Sequence, residues 1–490
     1  MIGKEGGSKS KIGALLGSML LPLALAQFIC SYSATSMNVA ISSISQDLGT
    51  TVQGVQVAIT FFTLTMAALM IPGSKLTEIL GRKKCFTIGL GIYGVGAFIA
   101  ALTPGIGILI FGYSLLEGLG TALLIPPVYI LATVFYSGIA RAKAFGVISA
   151  AAGIGAAAGP LIGGLITSAI SWRAAFITST LVVLLILYLS RKIVDPKKEG
   201  PKPRFDIAGA ILSALAMFFV ISGILLTSTY GWFSAKEDFF IGSILVIPQG
   251  GISPLWLFLG IGVLFLAIYV INIRRREKAG KEPLLPMRLI RNKTSNLGLI
   301  TQCVQWAMLQ GSSFVISVFV QTIRGLSAIT TGLVLTPATI GILLTSSLAG
   351  RFERKERWQK RLIAGGFIIT IVGILLLLLM VRETNSLLNF VPGLFLFGAG
   401  IGIMLTSSVN VVQSAFPEED QSEISGLSRS ISNLGSSLGT SIVGSVLLIS
   451  IAHTFGLALA ILIILGIIGL VAAFLLPRGR IKPAESQPVS

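Results

Sequence analysis

Residues 155–164 read Gly155-Ala-Ala-Ala-Gly159-Pro160-Leu-Ile-Gly163-Gly164. Gly155, Gly159 and Gly163 recur every fourth residue, which stacks them on one face of a helix. A face without side chains lets a second helix approach closely, and Pro160 removes a backbone donor and bends the helix that carries it. Each glycine alone is accounted for by ordinary helix packing; the set as a whole is a specific pattern. It also recurs. A shift of 280 residues superimposes Gly146, Gly155, Gly159 and Gly164 on Gly426, Gly435, Gly439 and Gly444. A basic loop from Ser74 to Lys84 is echoed from Gly350 to Arg361. The chain is therefore expected to be built from two related halves.

The helices around this motif are membrane spans. A bilayer core of about 30 Å needs roughly 20 apolar residues per helix, and fourteen such runs can be read between residues 15 and 476. Of the 490 residues 53% are hydrophobic and only 11% are charged, against about 25% charged in an average soluble chain. Mean hydropathy is +0.89. Disorder is excluded, because it requires charge and low hydrophobicity. An all-α polytopic membrane protein is expected, with two six-helix bundles and two extra central helices. The boundaries are 1–190 for the first bundle, 191–293 for linkers, the two extra helices and an external loop, 294–476 for the second bundle, and 477–490 for a tail.

Two stretches imitate other things. Lys4, Lys9 and Lys11 followed by an apolar run to Ala24-Leu25-Ala26 resemble a signal peptide, but the run continues to Ala40 and reads as the first span. Phe239 to Ile247 is apolar but only nine residues long before Pro248-Gln249-Gly250-Gly251, too short to cross as a helix. The segment 229–253 is read as an external loop that dips into the membrane interface.

Charge parity supports that division. The 37 basic residues exceed the 19 acidic ones, giving +18. Basic residues collect in cytoplasmic loops, and with the amino terminus inside, 32 of them fall on that side and four (Arg173, Lys236, Arg324 and Arg382) on the other. The basic excess thus reports orientation in the plasma membrane, with both termini cytoplasmic, and contact with anionic lipid. It is no nucleic-acid footprint. Three scattered cysteines and a single His453 offer no metal or disulfide framework, and no cofactor is implied. Gly89-Leu-Gly91-Ile-Tyr-Gly94 matches a dinucleotide fingerprint formally, but it lies within a membrane helix with no strand before it.

Together these motifs bear a family resemblance. The glycine set, with Trp172, Arg173 and Phe176 after it, resembles the antiporter motif of exporters of the major facilitator superfamily, in particular its fourteen-span drug:proton antiporters. Ser74-Lys75-Leu76-Thr77-Glu78-Ile79-Leu80-Gly81-Arg82-Lys83 is similar to the superfamily's loop signature, and Glu282-Pro283-Leu284-Leu285-Pro286-Met287-Arg288-Leu289 to the segment entering the ninth helix. The resemblance implies a cytoplasmic clamp at Glu78, Gly81, Arg82 and Lys83, with Glu78 in place of aspartate, Ser74 in place of glycine and Ile79 in place of a basic residue. It also exposes two gaps. Ser33 stands where the family usually has aspartate, and Ser114 where it has an arginine associated with proton coupling.

What this chain offers instead is Glu117, the acid deepest inside a predicted span. A charge at the bilayer centre costs about 2.5–3.5 kcal/mol on insertion scales, so Glu117 is either a proton carrier or a neutral, hydrogen-bonded packing group. Arg429 is the one cation inside a predicted span, lining the cavity or snorkelling to the surface. Tyr32, Asn38, Tyr113, Gln305, Trp306 and Asn410 join it as candidates for a largely apolar substrate cavity, against the alternative that each satisfies a helix neighbour. The leading expectation is a monomeric exporter of small amphipathic or cationic compounds, driven by protons. Export of an endogenous metabolite or lipid without protons, and a non-transporting receptor, are the alternatives. No nucleophile–base pair or phosphate loop suggests an enzyme.

Overall fold

In the computed structural model, the described residues are 19–136, 138–193, 205–241, 244–352, 359–382, 386–416, 420–447 and 451–477. The basic tails 1–18 and 478–490 and the basic stretches 194–204 and 353–358 lie outside them. Long helices occupy all the apolar segments. They are α1 (Leu20–Asp47), α2 (Val52–Leu80), α3 (Arg82–Ala101), α4 (Ile106–Ala132), α5 (Gly138–Ala169), α6 (Trp172–Ser190), α7 (Ile207–Tyr230), α8 (Pro254–Lys278), α9 (Lys293–Ile323), α10 (Ala328–Phe352), α11 (Gln359–Met380), α12 (Leu387–Ser414), α13 (Gln421–Leu447) and α14 (Ile451–Leu475). Their starts are chemically marked. The side chains of Thr51, Ser171, Asp206 and Asn292 accept from backbone N–H groups in the first turns of α2, α6, α7 and α9, the usual N-cap bond.

The fourteen helices differ in how apolar they are. Among the described residues twelve helices are long and apolar enough to cross a membrane, and α5 makes a thirteenth if its two pieces, bent by 42° between Ala156 and Ala158, are one span. That bend falls where Pro160 deprives the helix of a hydrogen bond to residue 156. The remaining helix, α13, is 27 residues long but too polar for the same test. It carries Glu423, Arg429 and a series of serines, and it packs against α2 and α9. A helix enclosed by protein has no need of an apolar circumference.

The loop expected over 229–253 contains a hairpin. Strands β1 (Phe239–Ile241) and β2 (Ile244–Ile247) pair antiparallel, and Gly250 turns the chain at φ 83°. Phe240, Ile244 and Leu245 are exposed on it. The described residues of this stretch, too short for a crossing helix, satisfy their backbone locally as a ribbon.

Glycine contacts display the repeat in three dimensions. A Cβ on Gly155 would meet the Phe28 carbonyl of α1, and one on Gly435 would meet the Cys303 carbonyl of α9. Gly159 lies against Tyr32 and Thr35, and Gly439 against Ala307. Helices α3 and α4 cross at Gly89–Gly120 and Gly96–Gly112; α11 and α12 cross at Gly366–Gly400 and Gly373–Gly393. The rejected dinucleotide match is thus part of a helix crossing, with Gly89 against α4 and Gly94 against Val183 of α6.

The halves also meet reciprocally. Gly164 of α5 touches the Ala328 carbonyl of α10, Gly332 of α10 touches the Pro160 carbonyl, and Gly444 of α13 meets Gln56 of α2. One register breaks this symmetry. Gly112 and Gly120 are eight residues apart, whereas their counterparts Gly393 and Gly400 are seven apart. The extra residue is absorbed in a π-helical stretch, Ile110–Glu117. Such one-residue bulges re-aim the side chains beyond them and are frequent at functional sites.

Candidate functional site

Glu117 closes that π-helical stretch and is fully buried. The Ser33 hydroxyl of α1 donates to its Oε2 at 2.8 Å. Its Oε1 has no hydrogen-bond partner among the described residues, although the Tyr93 hydroxyl is close enough to act on the carboxyl. Ser33 occupies the position where the family resemblance led us to expect an acid. The crossing of α1 and α4 places the Glu117 carboxyl against this residue, which supplies a hydroxyl to it. The other substituted position is quieter: Ser114 donates to the Ala58 carbonyl of α2 at 2.7 Å and joins no charge.

Around the carboxyl the first half is aromatic. Tyr113 stacks on Phe62 with centroids 4.5 Å apart, packs edge-on to Phe176, and donates to the Ser33 carbonyl at 3.3 Å. Tyr32, Ser33, Tyr113 and Gly163 line one small pocket together with Trp172 and Phe176. Above it the Trp172-Arg173 pair closes the end. Trp172 Nε1 and the Arg173 guanidinium both bind Asp47 at the end of α1, and Arg173 Nη2 donates to the Thr103 carbonyl at 2.9 Å.

The repeat gives this site no partner in the second half. The register that relates Gly120 to Gly400 places Phe397 where Glu117 stands. The register that relates Phe28 and Tyr32 to Cys303 and Ala307 places Met308 opposite Ser33. Both Met308 and Phe397 are buried in the apolar core.

The other expected cavity residues disperse. Asn38 is buried, and its carbonyl accepts from Gln321 Nε2 of α9 at 3.3 Å, while Gln321 Oε1 accepts the Ser42 N–H at 3.1 Å. Gln310 of α9 likewise donates to the Ala34 carbonyl. Asn38 therefore marks a seam between halves. Gln305 pairs with Ser408 at 2.9 Å inside the second half. Trp306 and Asn410 are half-buried. Arg429 of α13 reaches across the halves: its Nη2 donates to the Tyr129 hydroxyl of α4 at 2.5 Å.

An ion cluster sits at the loop signature, centred on Lys75. This cation lies one helical turn before Glu78 and is only 7% exposed. Lys75 Nζ lies 3.2 Å from Glu78, 3.4 Å from Glu423 of α13 and 3.6 Å from Glu282 in the segment before α9. Gly81 makes the turn between α2 and α3 at φ 97°. Lys83 faces another way, donating to the Arg191 carbonyl at 3.2 Å, and Arg82 lies half-buried in the first turn of α3. The loop signature marks the place, but the ligands Glu423 and Glu282 come from far along the chain, which spacing cannot reveal.

Lys75→Met would leave Glu78 and Glu423 facing each other without a cation. Removing one member of a buried charged pair costs about 2 kcal/mol or more. Thermal unfolding in detergent should show that loss, and the double variant Lys75→Met/Glu423→Gln should recover part of it. Equal melting of single and double variants would refute the coupling.

The same end of the bundle is tied by a buried carboxylate. Asp206 caps α7 and also accepts from Asn272 of α8 and the Leu284 N–H, with Arg276 3.4 Å away. Arg288 pairs with Asp420. The two extra helices and the segment 282–289 are thus knotted to α13, the helix that carries Arg429.

Known proteins of similar sequence agree with this architecture. The chain is 24% identical over 429 residues to multidrug resistance protein Stp of Mycobacterium tuberculosis, covering 87% of this chain and 75% of that one. It is 27% identical over 431 residues to puromycin resistance protein pur8 of Streptomyces alboniger, covering 87% and 81%. To multidrug transporter protein MdtP of Bacillus subtilis it is 26% identical over 431 residues, covering 88% and 75%. The sequence profile of the Major Facilitator Superfamily matches twice, at residues 23–239 and 238–440. This chain is an integral membrane transporter of small molecules and belongs to the Major Facilitator Superfamily.

Proposed function

We propose that this chain exports small amphipathic compounds across the plasma membrane in exchange for protons, with Glu117 as the proton carrier. The observation that carries the reading is the Ser33–Glu117 pair at 2.8 Å, buried between α1 and α4 and replaced by apolar Met308 and Phe397 in the other half. A carboxyl group kept only in one half is a poor packing choice and a good switch. Protonated, it is neutral and at ease in an apolar site; ionised, it needs water or a cation. Rocking the halves about their seams alternates its access.

The names of its relatives point to drugs and antibiotics as cargo. The end that carries Arg82 to Lys84, Arg191, Arg274 to Arg276 and Lys360 faces the cytoplasm by the positive-inside rule, as do both termini, and the protein acts as a monomer. The serines at 33 and 114 favour a second reading, export of an endogenous metabolite without protons.

Proteoliposomes with an imposed pH gradient test both. Relative to a collapsed gradient, an acidic vesicle interior should raise the accumulation of a transported fluorescent drug several-fold. Purified protein should release about one proton per substrate bound. Accumulation indifferent to the gradient, with no proton release, would select the second reading.

A further inference from the structure

Arg429 sits where the two halves meet, and no carboxylate lies beside it among the described residues. Half-buried on α13, it gives one N–H to the Tyr129 hydroxyl, and its guanidinium lies 5.4 Å from the centre of that ring. The nearby acids are committed elsewhere. Glu423 binds Lys75, and Asp420 binds Arg288. Glu117 is on the same helix as Tyr129 but twelve residues earlier, roughly 18 Å along the axis at about 1.5 Å per residue, and is bonded to Ser33.

A guanidinium inside a membrane protein is normally paired or hydrogen-bonded throughout. Here a neutral phenol takes one of its five donors, and the ring face adds a weak cation–π contact. The planar fork that fits a carboxylate bidentately is held at a boundary that opens and closes during transport, on an element otherwise fixed by Lys75 and Arg288.

We propose that Arg429 and Tyr129 form the head-group subsite for the transported compound, and that this compound is an amphipath carrying an acidic group on an aromatic or apolar body. The subsite deepens the export reading and rests on it for transport, though not for binding. A cationic cargo would face the repulsion of Arg429. An anionic cargo gains a charge-assisted bidentate bond and displaces only a phenol.

The test uses the purified full chain and three probes of one shape: 1-naphthoate, its neutral carboxamide and 1-naphthylmethylammonium. In calorimetric titrations the wild type should bind naphthoate at least tenfold more tightly than the other two. Arg429→Gln should reduce naphthoate to the level of the carboxamide while changing the carboxamide less than twofold. Arg429→Lys should keep the preference at lower affinity, so that misfolding of Arg429→Gln does not decide the matter. Equal or tighter binding of the ammonium compound, no binding of any probe, or a uniform loss of all three in Arg429→Gln would overturn the proposal. Uptake of the same probes into proteoliposomes separates the two readings. Arg429-dependent binding without uphill uptake keeps the subsite and rejects export; uphill uptake without charge preference keeps export and rejects the subsite.

Discussion

Glu117→Gln is expected to abolish uphill transport while leaving downhill movement of the same substrate within about threefold of wild type. The substitution preserves the shape of the side chain, and the Ser33 hydroxyl 2.8 Å away can donate to an amide oxygen as it does to the carboxylate. What disappears is the ability to take up and release a proton. One charge moving inward through 100 mV supplies about 2.3 kcal/mol. At about 1.4 kcal/mol per tenfold, that sustains roughly a fiftyfold gradient of a neutral substrate. The variant should therefore fall from about fiftyfold accumulation in energised vesicles to unity, with counterflow exchange intact. An anionic substrate sharpens the contrast, since its export adds a second charge moving with the potential and doubles the electrical driving force to about 4.6 kcal/mol per 100 mV. Accumulation by Glu117→Gln equal to wild type would rule out the carboxyl as the coupling group. Loss of counterflow as well would make Glu117 a packing residue.

The fold was legible in the sequence because its determinants are local and periodic. Apolar runs mark the spans, and glycines at four-residue spacing mark helix contacts. Even the cation parity follows chain order, since successive spans alternate direction. The span that fails an apolarity test, α13, was still readable through its glycines, which copy those of α5. The site was legible only in parts. Glu117 and Ser33 each stood out, one as a buried acid and the other as a missing one, but nothing in their separation of 84 residues announces a hydrogen bond. Only the crossing of α1 and α4 brings them together. Lys75 lay in plain view within the loop signature beside Glu78, yet its two other partners lie more than 200 residues away, at Glu282 and Glu423. Arg82 and Lys83, the more conspicuous cations, turned out to cap a neighbouring loop or remain at the helix start. The π-helical turn before Glu117 was hidden because a one-residue insertion changes register without changing hydropathy. It emerges only when the two halves are compared in space.

That comparison yields the strongest structural prediction. Gly155→Ala and Gly435→Ala should each be severe, and the double variant should not fold. In each case the new methyl group would fall on a backbone carbonyl, of Phe28 in α1 or of Cys303 in α9. A flexible side chain could swing aside, but a carbonyl in the middle of a helix cannot, so the helices must separate and neighbouring contacts loosen. Overpacking costs about 1–3 kcal/mol in well-packed cores, and occasionally more; a rigid obstacle places each variant near the top of that range. Because the two positions lie in different halves and share no neighbour, the effects should add, reaching about 6 kcal/mol. That equals the whole of a typical folding stability at the lower end of its range of about 5–15 kcal/mol. Gly153→Ala in α5 supplies the opposite sign. A methyl there meets nothing within 4 Å, and replacing a helical glycine by alanine gains about 0.5–1 kcal/mol. Melting temperatures and monodisperse yield in detergent should therefore rise slightly for Gly153→Ala, fall for each of the other single variants and fail for the double. A double variant that folds as well as wild type would mean that the glycine stripes are not the contacts that hold α1 to α5 and α9 to α13.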